Sequence, residues 1–164
     1  MDAHERFGQT RGWVAAGLAS LFFLGPLSGC AALRAAAERR DKIEERVQKH
    51  VYTQPQGTVW AEARALLFEM GYEVSSAANA FGATVETEWK YDGNWQTRYL
   101  VQAMSVEGGT KVQFMKSTQT VTSATSPRAR RDLDAEWALL QKIDPSAASE
   151  IEAYAQGPRV ETNR

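Results

Sequence analysis

Apolar and polar residues alternate with a period of two over three stretches in the middle of the chain: 84–91, 95–106 and 112–120. This alternation is typical of half-buried strands. In the first stretch the inward set would be Val85, Thr87, Trp89 and Tyr91. Glycine-containing turn signals at 92–94 and 107–109 separate the stretches. Since consecutive strands joined by short turns usually pair with each other, we predict an antiparallel meander.

Helical periodicity precedes the meander. From 59 to 70 the apolar residues fall on one broad helical face. Thr58 can cap the start of this helix, and Gly71 stands where a glycine commonly ends one. Residues 72–74 are then predicted to form a further strand, the first of four.

Two more helices are predicted after the meander. Ser126 followed by Pro127 is typical of a helix start, which indicates a helix over 127–142. Asp144 and Pro145 predict another start, and that helix would run to Gly157. Residues 31–50, rich in Ala, Arg and Glu, predict an exposed helix ahead of the domain.

The fold class that follows is α+β: a four-stranded, mostly antiparallel sheet with helices packed on one face, preceded by an exposed helix. The core would be built from the helix residues Trp60, Leu67, Leu133 and Trp137 and the strand residues Val85, Trp89, Val112 and Phe114.

The amino-terminal segment has the pattern of an export signal. An apolar run of about a dozen residues, 13–24, follows Arg6 and Arg11 and is shorter than the roughly 20 residues that span a bilayer. Leu27-Ser28-Gly29-Cys30 resembles the bacterial lipobox. That resemblance implies cleavage between Gly29 and Cys30, lipid attached to Cys30, and a membrane as partner through that lipid. Ala31 follows the cysteine where an aspartate would imply inner-membrane retention, so we expect an outer-membrane, periplasm-facing location.

These observations divide the chain into four parts. We predict a lipoprotein signal peptide at 1–29 and a lipidated helical spacer at 30–50. A single helix-on-sheet domain would occupy 51–157, and a frayed tail 158–164.

The composition narrows the function classes. The net charge of −1 offers no basic field for nucleic acid. Two histidines and one cysteine cannot supply a metal cluster or a disulfide framework, and we expect no cofactor. The close carboxylate pairs, Glu86 with Glu88 and Asp132 with Glu136, fit a solvated strand face and an acidic helix start better than a catalytic pair. We therefore expect a non-enzymatic protein with no catalytic or metal-binding residues.

Two clusters are candidates for binding. Trp89, Tyr91, Trp95 and Tyr99 crowd around one predicted hairpin. They can be core packing or the rim of a binding groove, and Trp95 and Tyr91 are the candidate surface residues. The other cluster is Arg128, Arg130 and Arg131. At a helix start these cations would oppose the helix dipole, which favours a solvated surface over an anion site.

The middle of the chain resembles a BamC-like helix-grip module, the C subunit lipoprotein of the outer-membrane β-barrel assembly machinery. The resemblance covers about 51–143. It is carried by Val59-Trp60-Ala61, Leu66-Leu67, Gly71-Tyr72-Glu73-Val74, Arg98-Tyr99-Leu100-Val101 and Gly108-Gly109-Thr110-Lys111-Val112. It implies a helix that enters a glycine-turned sheet, a final helix lying across that sheet, and no catalytic residue. That subunit has two such modules and an extended amino-terminal segment, whereas this chain has one module and a helix.

Together these features predict a membrane-anchored envelope lipoprotein that binds or scaffolds an unknown envelope protein. The process implied by the resemblance is outer-membrane assembly or maintenance. The alternative is a periplasmic carrier that holds an apolar ligand between sheet and helix. An enclosed apolar cavity would favour the carrier, and a filled core with an exposed aromatic patch would favour the scaffold.

Overall fold

The computed structural model describes residues 27–75, 84–122 and 126–157. Most of the predicted signal peptide and the predicted tail lie outside these ranges. The chain divides into two compact units, Met1–Ala35 and Ala36–Arg164. Within the described ranges, no helix combines the length and the apolar character needed to cross a bilayer.

The sheet has five strands in the described ranges: β1 (Thr84–Glu86), β2 (Lys90–Asp92), β3 (Trp95–Val106), β4 (Gly109–Thr120) and β5 (Arg128–Arg131). All pairings are antiparallel, in the order β1-β3-β4-β5, and β2 also pairs with β3. The long β3–β4 hairpin is the centre of the sheet, and it places Val101 opposite Phe114.

Four helices accompany the sheet in the same ranges: α1 (Leu27–Lys49), α2 (Gln56–Glu69), α3 (Leu133–Ile143) and α4 (Pro145–Gln156). In β3 and β4 the buried hydrophobic residues are Tyr99, Val101, Ala103, Val112 and Phe114, and Thr110 is buried with them. All of them lie on one face, where α2 and α3 pack. The predicted α+β class is confirmed, with one strand more than expected.

The core is assembled from that sheet face and the apolar faces of α2 and α3. Leu67, Leu139 and Leu140 are completely buried against it. Trp60 and Trp137 pack at its margin and are only partly buried. Burial of these apolar side chains supplies the main favourable free energy of folding.

The predicted continuous strand over 84–91 is wrong. β1 pairs Glu86 with Leu100, whereas β2 pairs Lys90 with Thr97, so this side carries one residue more than β3 between the two pairs. An extra residue of this kind is a β-bulge, and a one-residue shift sends following side chains to the other face. Tyr91 therefore leaves the face of Val85. The predicted strand at 72–74 is reduced to one bridge between Val74 and Thr87.

The predicted helix start at Pro127 is also wrong. Residues 128–131 form β5, which pairs with Met115–Thr118 of β4 and so satisfies its backbone hydrogen bonds in the sheet. The helix begins at Leu133, because the Asp132 carboxylate accepts a hydrogen bond from the Ala135 N–H at 3.1 Å and caps it. The next helix, α4, starts at Pro145 as predicted, capped by Asp144.

The carboxyl-terminal half of α1 packs on the domain. Val47 is 5% exposed and belongs to the core, with Ile43 partly buried beside it. After the helix, Tyr52 exchanges two backbone hydrogen bonds of 2.8 Å with Thr110. Residues that the sequence pattern assigned to the spacer therefore belong to the compact unit Ala36–Arg164.

Candidate binding surface

Exposed hydrophobic side chains lie at the open end of the β3–β4 hairpin, away from its turn at 107–109, and on the adjoining strand β2. Trp95 is 54% exposed, Tyr91 65% and Val121 48%. The Val121 N–H donates to the Asn94 carbonyl at 2.9 Å, which brings Val121 to the same end of the sheet. We call these three residues the aromatic tip.

Trp95 and Tyr91 lie on opposite faces of the sheet. Trp95 pairs with Asp92 and Thr120, whereas Tyr91 pairs with Gln96. Directly paired residues of antiparallel strands share a face, and successive residues alternate. Trp95 is therefore on the helix side, in line with Tyr99, but beyond the part of the sheet that the helices bury.

The other two aromatic residues of the predicted group have different surroundings. Tyr99 is 1% exposed and makes edge-to-face contacts with Tyr72 and Phe114, at centroid distances of 4.9 and 6.2 Å. Trp89 is half-buried, with the Arg98 guanidinium 4.7 Å from its ring centre. The group divides into one core residue, one partly covered residue and the two exposed residues of the tip.

A side-chain hydrogen bond links the centre of the sheet to the start of α3. The Tyr99 hydroxyl donates to the Asp132 carboxylate at 2.6 Å. Burial and this hydrogen bond raise the pKa of Tyr99, so the hydroxyl stays protonated as a donor. Asp132 in turn caps α3, which ties the start of the helix to the centre of β3.

Glu136 fixes the same helix one turn later. Its side chain is 4% exposed. It accepts hydrogen bonds from the Phe114 N–H at 3.1 Å and from both Nε and a terminal nitrogen of Arg131 at 2.7 Å. Asp132 and Glu136 thus both direct their oxygens to structural partners. Among the other predicted carboxylates, Glu86 forms an ion pair with Arg98.

The three residues of the predicted arginine cluster lie on β5 and have different surroundings. Arg131 is bound to buried Glu136, whereas Arg128 and Arg130 are exposed. Because these residues lie on a strand, the helix-dipole argument against an anion site does not apply to them.

The space between sheet and helices is filled by side chains such as Tyr99, Phe114 and Leu67. Two pockets in the described ranges lie outside that layer and open to solvent. One, of about 690 Å³, lies along α2 beside Phe68 and Tyr72. Another, of about 600 Å³, lies between the end of α1 and α4 and is lined partly by His50.

His50 is the one histidine in the described ranges. Its Nε2 is buried and has no hydrogen-bond partner among the described residues. Burial lowers the pKa of His50, and nearby Asp144 partly opposes this.

The predicted lipidation residue, Cys30, lies in α1 and is exposed, with a free thiol. Gly29, on the other side of the predicted cleavage bond, is in the same helix.

Comparisons with protein-family models, with curated proteins and with solved structures gave no match to this chain.

Proposed function

We propose that this protein is a lipid-anchored lipoprotein of the bacterial envelope that binds another envelope component through the aromatic tip. The observation that carries the proposal is the exposure of Trp95 and Tyr91 at one end of a sheet whose core is filled. Exposed aromatic residues are frequent anchors of interaction sites.

The anchor is the first part of the proposal. The lipobox-like Leu27-Ser28-Gly29-Cys30 and the exposed thiol of Cys30 support lipid attachment at that residue. One acyl chain binds a membrane marginally, but two or more hold a protein stably. The absence of aspartate after the cysteine favours the outer membrane, facing the periplasm.

The anchor can be tested by labelling cells with palmitate. The parent chain should incorporate label and be shortened by the signal peptide. Cys30→Ser should do neither, because the lipid transfer requires the thiol. Equal labelling of the two forms would contradict the anchor.

The aromatic tip is the second part. Binding surfaces depend on a few aromatic residues, and loss of one commonly costs more than about 2 kcal/mol of binding. Trp95 is suited to such a test because its exposure means that truncation leaves the core intact. The resemblance to BamC-like modules suggests outer-membrane assembly or maintenance as the process served.

Crosslinking in intact cells, followed by purification of the tagged chain, tests the tip. Trp95→Ala and Tyr91→Ala each remove one aromatic residue, from opposite faces of the sheet. The variant that loses more of the crosslinked partner therefore identifies the binding face. Phe68→Ala is the matched control, since Phe68 is 78% exposed but lies on α2. We expect the crosslinked profile to change for a tip variant and to stay unchanged for Phe68→Ala. If all three variants gave the same crosslinked profile as the parent, the tip would be refuted as the binding surface.

A further inference from the structure

Four basic side chains lie on the helix side of the sheet in the two rows next to Trp95, and the first of them, Lys90, also donates to the Met70 carbonyl at the end of α2 at 2.7 Å. They are Lys90, Lys116, Arg128 and Arg130. The register places them in adjacent rows. Lys90 pairs with Thr97 in β3, Thr97 with Thr118 in β4, and Thr118 with Arg128 in β5. In the next row inward, Tyr99 pairs with Lys116, and Lys116 with Arg130.

Side-chain contacts agree with this placement. Lys90 Nζ is 5.1 Å from the centre of the Tyr72 ring, and Lys116 Nζ is 5.7 Å from that of Tyr99. Tyr72 and Tyr99 pack against each other in the core, so both lysines are on the helix side. We call the four cations, with Trp95 at their outer edge, the basic shelf.

The basic shelf has an excess of positive charge. Two carboxylates lie on this face of the sheet, Asp92 and Asp132. Glu44 and Asp134, from the helices, line a pocket with Arg130, and both are paired with Arg40. Asp132 is already bound by Tyr99 and the Ala135 N–H, with Lys116 at 3.9 Å. Arg128 and Arg130 are exposed and form no ion pair with any residue in the described ranges. Four cations against two carboxylates stand out in a chain whose net charge is −1.

The shape of the shelf decides between a small anion and an extended one. Neighbouring strands are about 4.8 Å apart, so Lys90 on β2 and Arg128 on β5 are separated by roughly 14 Å. One phosphate group could meet only neighbouring members of the basic shelf, such as Lys116, Arg128 and Arg130, whereas all four can be met only by an extended anion. They match a surface that presents many negative charges.

We propose that the basic shelf lies against the anionic headgroups of a phospholipid bilayer, with Trp95 inserted at headgroup level. Tryptophan favours the membrane–water interface, where its ring is partly apolar and its N–H finds a partner. Lys and Arg near an anionic surface each add about 1 kcal/mol of attraction. The inference rests on the proposed function for the lipid anchor that holds the domain near a bilayer. It deepens that function by naming what the Trp95 side of the aromatic tip contacts.

Fluorescence quenching in vesicles tests the proposal with the full, processed protein. The purified chain is reconstituted into vesicles of brominated phosphatidylcholine, with or without phosphatidylglycerol, and bromine quenches tryptophan at the headgroup boundary. The full sequence contains five tryptophans, of which Trp13 lies in the predicted signal peptide. The processed protein therefore has four, and the Trp95 signal is the difference between the parent and Trp95→Phe. We expect this signal to be quenched only when phosphatidylglycerol is present. Raising the salt from 0.1 M to 1 M shortens the Debye length from about 10 Å to about 3 Å and should reverse the quenching.

Charge variants distinguish contact through the basic shelf from general electrostatic attraction of the protein to the bilayer. Arg128→Gln with Arg130→Gln should weaken the bilayer contact roughly 30-fold, the effect of two cations at about 1 kcal/mol each. Arg64→Gln with Lys111→Gln removes the same charge outside the shelf and should leave the quenching unchanged. Equal quenching with and without phosphatidylglycerol, or an equal effect of the two double variants, would overturn the proposal.

Two further outcomes separate this inference from the proposed function. The mass of the purified chain reports lipid on Cys30 independently of quenching. A lipidated chain that floats with the vesicles while Trp95 stays unquenched refutes the shelf and leaves the anchor standing. It would also direct the search to an acidic protein as the occupant. A chain without lipid that nevertheless shows the phosphatidylglycerol-dependent quenching refutes the anchor and supports the shelf.

Discussion

Replacement of Glu136 by Ala should strongly destabilise the fold, because it leaves the Phe114 N–H without an acceptor and the Arg131 guanidinium without its carboxylate. The Phe114 N–H and the Arg131 guanidinium both donate to this carboxylate, and the ion pair is mostly buried, with side chains 4% and 18% exposed. Removing one member of a buried pair typically costs about 3–5 kcal/mol. Since whole domains are stable by only about 5–15 kcal/mol, this loss is large.

Asp134→Ala is the matched control. Asp134 lies two residues away in the same helix and also pairs with an arginine, Arg40, but its side chain is 76% exposed. Exposed ion pairs contribute little, since water already solvates both charges. Glu136→Gln adds a finer comparison, because its amide oxygen can still accept from the Phe114 N–H while the charge is lost.

Thermal unfolding followed by circular dichroism measures the difference. At about 4 °C per kcal/mol for a domain of this size, a loss of about 3–5 kcal/mol in Glu136→Ala should lower the midpoint by roughly 10–20 °C. Glu136→Gln should fall between that variant and the parent, and Asp134→Ala should stay close to the parent. If Glu136→Ala and Asp134→Ala melt alike, the buried pair does not hold α3 on the sheet as argued.

Two other predictions concern folding. Gly109→Ala should destabilise more than Gly93→Ala in urea unfolding, because a Cβ at Gly109 would lie 2.0 Å from the Tyr52 carbonyl oxygen, whereas at Gly93 it meets open space. Both glycines have positive φ, so the Gly93 variant, at about 1–2 kcal/mol, measures backbone strain alone; equal effects would exclude the clash. Burial lowers the pKa of His50, so the folded state resists protonation and stability should decrease as pH falls below about 6.5, the ordinary histidine value. His50→Asn should lose that part of the pH dependence, and parallel curves for the two proteins would contradict it.

Local pattern was sufficient for most of the elements whose signals are local. The predicted cap at Thr58 is wrong, because α2 already starts at Gln56 and has no side-chain cap. The alternation in β3 and β4 correctly assigned Tyr99, Val101 and Phe114 to one face, because a strand that is buried on one side must alternate. Gly71, with positive φ, follows α2, and Asp144 starts α4, since a helix end needs particular residue types within a few positions. The fold class follows from these elements and their order.

The pattern also selected Trp95 and Tyr91, but it could not assign their exposure or their faces. Exposure of Trp95 depends on where α2 and α3 stop covering the sheet, which is a matter of packing between distant segments. The face of Tyr91 depends on a one-residue bulge, and a single inserted residue leaves no mark on the alternation itself.

Only the tertiary structure decided which secondary structure residues 128–136 adopt. A proline after a serine is a good helix start in isolation, yet here the chain pairs with the free edge of β4, and the helix starts at Leu133 with Asp132 as its cap. That edge belongs to the preceding strand, which ends at Thr120, outside the few residues that the helix-start signal covers. The same pairing exposes Arg128 and Arg130 beside Trp95 and buries Glu136 against Arg131. Sequence by itself determined which residues are able to bind, cap or pack, whereas the sheet edge and the reach of the helices determined which of them do.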